Sequence, residues 1–110
     1  MEITTPDQVI RELNRLQTDA VKGIGALYEA EKRLVELDLA FDKAWATALL
    51  KHSGAVAVRE ALATLDTESE RFQRDLARVE VNRIKLKLKQ LSEASVAASV
   101  IGRQVELTYK

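Results

Sequence analysis

Cysteine is absent from this chain, proline occurs once, histidine once and glycine four times. Without cysteine there is no disulfide framework and no thiolate chemistry. With so little proline and glycine, the chain has few natural breaks, and its wealth of Ala, Leu, Glu, Lys and Arg is the signature of long helices or coiled coils. Net charge is zero, so no overall excess of either sign directs the protein to a partner. No apolar run reaches the length of a membrane span. The first residues lack a basic segment followed by an apolar one, so no secretory signal is expected there. These absences point to the cytosol.

At 110 residues the chain is expected to be one domain. Its composition is 46% hydrophobic and 31% charged, and apolar residues recur throughout, which argues against disorder. Charge is divided unevenly. Residues 1–52 hold nine acids and seven bases, residues 53–70 four acids and one base, and residues 71–110 nine bases and four acids.

Thr5-Pro6-Asp7-Gln8 reads as a helix start. Thr5 caps, Pro6 takes the first helical position, and Gln8 completes a capping box. A heptad follows. One seam position carries Leu13, Ala20, Leu27, Leu34, Phe41 and Ala48, the other Val9, Leu16, Gly23, Ala30, Leu37 and Ala44. This predicts a long helix over about 6–52, continuous through Gly23 and Gly25, with a coiled-coil-like face. Ser53-Gly54 stops it. Residues 53–66 are expected to form a connector with a short helix. Thr67-Glu68-Ser69-Glu70 reads as a second capping box, opening a second long helix over about 67–106.

The second helix carries a basic stripe. Arg71, Arg74, Arg78, Lys85 and Lys89 fall within an arc of roughly 60°. Phe72, Leu76, Val79 and Leu86 lie on one flank of it, and Val81, Ile84, Leu88 and Leu91 on the other. Glu80, Arg83 and Lys87 lie at the back. Two apolar flanks imply two neighbours. Residues 83–89 alternate with period two, which alone reads as a strand, but their helical surroundings favour helix. Beyond residue 93 the helix turns apolar nearly all round, with Ala94, Ala98, Ile101 and Val105 on one side and Val96, Val100 and Leu107 on the other. Such a helix requires burial. A two-helix hairpin is not expected to supply it, so Ala94, Ala98, Ile101 and Val105 are assigned to homo-oligomerisation.

The stripe has two readings. One is a solvated face with intramolecular pairs such as Arg71–Asp75. The other is a face for phosphates, to which Arg83 and Lys87 add a second contact. Phe41 and Phe72 fit packing faces, Trp45 sits beside the first seam, and Tyr109 can serve packing or base stacking. His52 ends a helix, where a cation favours the dipole. Position 49 is Leu, so no Glu-x-x-His ligand pair exists, and no metal or other cofactor is expected. No nucleophile constellation or phosphate loop is present, so the sequence does not read as an enzyme.

Several stretches carry a resemblance. Phe41-Asp-Lys-Ala-Trp-Ala-Thr-Ala-Leu-Leu50, Ser53-Gly54, Val56-Ala-Val-Arg-Glu60, Glu70-Arg-Phe-Gln-Arg-Asp-Leu-Ala77 and Ser99-Val-Ile-Gly-Arg103 resemble small helical bacteriophage proteins of the replication and recombination region. The layout is similar to the phage recombination-mediator (UvsY-type) family. The resemblance spans roughly residues 27–106. It implies an all-α long helical hairpin or coiled coil, assembling as an oligomeric bundle or ring, that binds single-stranded DNA in the host cytosol. It further implies a recombinase or a single-strand binding protein as partner, and it carries over the basic region Arg71–Lys89. The alternative is a structural or protein-interaction coiled coil, serving phage assembly or host-factor binding without nucleic acid. A membrane-surface helix fits less well, because the stripe lacks one clean opposing apolar face.

Overall fold

The structure is a computed structural model that describes residues 5–109, the side chain of Tyr109 excepted. Three helices account for nearly all of it: α1 (Pro6–Lys51), α2 (Val56–Asp66) and α3 (Glu68–Tyr109). No strand occurs among the described residues. The period-two stretch 83–89 is therefore helical, as its neighbours require.

The ends of α1 follow local chemistry. Thr5 N–H donates to Gln8 Oε1 at 3.1 Å, and Gln8 N–H donates to Thr5 Oγ1 at 3.3 Å. This reciprocal box satisfies two donors that the first turn leaves orphaned. At the other end Gly54 has φ +110°, a conformation that side chains resist, and the helix has stopped before it. The second expected box takes a different form. Thr67 is almost fully buried, at 1% exposure, and its N–H and its hydroxyl both donate to the Ala63 carbonyl, at 3.1 and 2.7 Å. Its hydroxyl hydrogen thus serves the end of α2. One residue joins α2 to α3, and the sharpness of that joint turns the side chain backward.

Two compact units divide the fold. One comprises the residues up to Leu27 with those from Arg83 onward, the other Tyr28–Asn82. In the first, Gly23 lies against Leu88 and Gly102 against Val9, so α1 and α3 run antiparallel. In the second, Asp38 lies by Arg74 and Arg78, and Phe41 lies under Arg74, in the same sense. The expected α1 heptad is the buried face: all twelve of its seam residues are buried or half-buried. On α3 the matching seam is Ala77, Val81, Ile84, Leu88, Leu91, Ser95, Ala98, Gly102 and Val105, alternating four and three residues apart, all buried or half-buried.

This seam corrects the assignment of the C-terminal residues. Ala98 and Val105 are buried within the unit, on the α3 seam whose Gly102 meets Val9 of the same chain. Ala94 and Ile101 stay exposed, as do Val96, Val100 and Leu107. A hairpin does bury one side of this segment, because small residues allow close approach. The other side remains open. Phe72, expected to pack, is 60% exposed.

The two mid-helix glycines differ, and this is testable. A Cβ on Gly23 would stand 2.6 Å from Leu88 Cδ2, whereas one on Gly25 would meet nothing within 4 Å. Gly25→Ala is expected to raise stability by roughly 0.5–1 kcal/mol through helix propensity. Gly23→Ala is expected to forfeit most of that gain, because Leu88 must move. Urea unfolding of the two variants beside the parent checks both.

Candidate nucleic-acid interface

The cations of α3, those of the stripe together with Arg83 and Lys87, divide chemically at residue 82. Arg71, Arg74 and Arg78 belong to the unit Tyr28–Asn82, and Arg83, Lys85, Lys87 and Lys89 to the other. The three arginines of the first group are engaged within it. Arg71 is half-buried and donates through Nη2 to the Thr64 carbonyl at 2.8 Å, which ties α3 to α2. The expected Arg71–Asp75 pair therefore gives way to this contact. Arg74 lies over the Phe41 ring, 4.3 Å from its centroid, and donates from Nε and Nη2 to Asp75 Oδ1 at 3.2 and 3.1 Å. Its Nε is also 3.9 Å from Asp38. Arg78 stands 3.8 Å from each of Asp38 and Asp75.

Planar guanidinium suits this work. It stacks on an aromatic face while its edge donates to carboxylates. Phe41 in turn stacks on Trp45, with centroids 6.3 Å apart and planes at 28°. Phe41 and Trp45 are thus packing residues of this unit. Asp38 adjoins the α1 seam residue Leu37 and reaches across to α3. Sequence reading missed its role because the contact depends on inter-helix register. Its place beside a heptad seam is the signal that could have found it.

The lysines differ. Lys85, Lys87 and Lys89 are exposed, and among the described residues none has a carboxylate within 4 Å. Arg83 is exposed but has a partner within the chain. Arg83 and Lys87 border a shallow groove with Gly23, Ala26 and Ile84. The unit that carries these residues has nine bases against six acids, the other unit eight bases against eleven acids. The surplus of +3 therefore lies with the lysines, and the −3 with the arginines that are already engaged.

The remaining polar residues have local roles. His52 Nε2 lies 2.6 Å from Asp66 Oδ2, joining the end of α1 to the end of α2. On α1, Arg15 hydrogen-bonds Glu12 and holds its carboxyl below the usual carboxylate range. Among the described residues no cluster of His, Cys, Asp or Glu is arranged to hold a metal ion. Tyr28 is exposed, and the side chain of Tyr109 lies outside the described residues. No helix is long and apolar enough to cross a membrane.

Arg74→Ala removes the stacking on Phe41 and the bonds to Asp75 together. It is expected to lower stability by about 1–2 kcal/mol, read by urea unfolding. Lys85→Ala, on an exposed side chain with no partner, is expected to stay within about 0.5 kcal/mol of the parent.

No protein-family model, curated protein or solved structure matches the chain.

Proposed function

We propose that this chain is an oligomeric helical accessory protein that binds single-stranded DNA, in the manner of the phage recombination mediators it resembles. One observation carries the reading: Lys85 and Lys89, one turn apart on one face of α3, and Lys87 on the opposite side are all exposed and unpaired on the net-positive unit, within a helical rise of about 6 Å. Unpaired cations invite phosphates, and most of the binding energy then comes from released counterions. Lysine suits the task because its compact ammonium requires no fixed geometry and follows a flexible strand of any sequence. Arg71, Arg74 and Arg78, part of the same stripe in sequence, act instead as scaffold. Binding is the role here rather than catalysis, and a recombinase or a single-strand binding protein is the proposed protein partner.

A second reading has its own observation. Phe72, Leu76 and Val79 form an exposed apolar row on α3, and such rows mark protein contacts. On that reading the chain is a protein-interaction coiled coil with no nucleic-acid role.

Fluorescence anisotropy with a labelled oligonucleotide separates the two. For three or four phosphate contacts per chain, the logarithm of affinity is expected to fall against the logarithm of salt with a slope of roughly −2 to −3. Lys85→Glu with Lys89→Glu is expected to abolish binding at moderate salt, while Arg78→Ala leaves the slope unchanged. Absence of wild-type binding at low salt would hand the protein to the second reading.

A further inference from the structure

The outward face of α3 repeats as regularly as its inward one. From Phe72 to Leu107, exposed residues recur at alternating intervals of four and three. Most are apolar, among them Leu76, Val79, Leu86 and Val100. Arg83 and Glu93 are the only charged members of this row. A heptad seam of this kind, on the side of the helix away from α1, is half of a second coiled coil.

From this pattern we infer that a second copy of the chain covers this face, with the two α3 helices antiparallel and Arg83 of each opposite Glu93 of the other. This names the surface for the assembly proposed above and rests on that part of it. Charge complementarity selects both the orientation and the register. In a parallel pair each Arg83 would meet its own counterpart, and each Glu93 likewise, which sets like charges in a desolvated seam. In the antiparallel pair, apposing Arg83 with Glu93 also brings Leu76 to Val100, Val79 to Ala97 and Leu86 to Gln90. Each of these joins one seam position to the other, as antiparallel packing requires. A slide of one heptad either way sets Arg83 against Leu86 or Val100 and leaves both charges without a match. The ion pair thus fixes register, the best-attested use of a polar group in a coiled-coil seam. Arg83 already has a contact in its own chain, and a guanidinium has five donors, enough for a second carboxylate.

The twofold axis would pass beside residue 88. Lys87 and Lys89 of both copies then flank it, one on each side of the face, so the dimer would present four lysines beside its axis.

Light scattering without nucleic acid tests the pairing. Wild type is expected at twice the chain mass or a multiple of that. Arg83→Glu is expected to weaken the dimer by roughly a hundredfold, and the swap Arg83→Glu with Glu93→Arg to restore it. Circular dichroism confirms that each variant remains helical. The chain has no cysteine of its own, so single-cysteine variants give a second readout. A mixture of Leu86→Cys and Gln90→Cys is expected to cross-link on oxidation more readily than either variant alone. A monomeric wild type overturns the proposal and leaves the face to another protein. So does a swap that fails to restore mass, or preferential self-cross-linking of Leu86→Cys, the mark of a parallel pair. Because mass is read without oligonucleotide, loss of the dimer and loss of DNA binding are separate results.

Discussion

A pair of antiparallel helices can hide only one stripe of each, and this limit governs the molecule. The seam between α1 and α3 is built mainly from small and medium side chains. Ala48, Ala77, Val81, Ala98 and Val105 are buried within it, and Leu16 is its largest fully enclosed member. Small residues bring the backbones close and give dense packing, but they bury little area per residue. Larger apolar groups such as Phe72, Leu86 and Leu107 remain in water. A chain with this distribution keeps its stickiest surface for other molecules.

The same limit separates arginine from lysine. Where α3 meets α1 and α2 in the unit Tyr28–Asn82, the cations at the helix contact are arginines. Their flat heads serve as packing as much as charge, on Phe41 and on the Thr64 carbonyl. Lys85, Lys87 and Lys89 in the other unit have stems too flexible and heads too well hydrated for that use, and they stand in solvent. A row of positive letters in sequence therefore holds two kinds of residue, and only the fold sorts them.

Much of this was legible beforehand. The α1 seam was readable residue by residue, because seven-residue periodicity is a property of one helix and needs no partner. The Thr5–Gln8 box was equally local. On α3 the two apolar flanks had equal claim to the core, since periodicity names faces without saying which one is covered. The seam took the flank of Val81 and Leu88, and it drew Ala98 and Val105 inward with it. Asp38 was invisible as a partner of Arg74 and Arg78 because their contact depends on axial alignment between residues far apart in sequence. Thr67 departed from its box because the joint after α2 is a single residue, a constraint that lies in three dimensions. Of the cationic site, the residue types were readable, but their division into engaged and unengaged groups was not.

The two glycines on the seam bear on alignment as well as spacing. Leu88 seats in the gap at Gly23, and Val9 in the gap at Gly102. Each acts as a key in a keyway, and the two lie at well-separated points along the helix pair. A slide of one turn would lift Leu88 out of its notch and onto Ala20 or Leu27. Coiled-coil seams lacking such notches tolerate slippage, since one apolar layer resembles the next. Within this unit the helices are therefore pinned lengthwise, and a slip of one heptad would unseat two side chains at once.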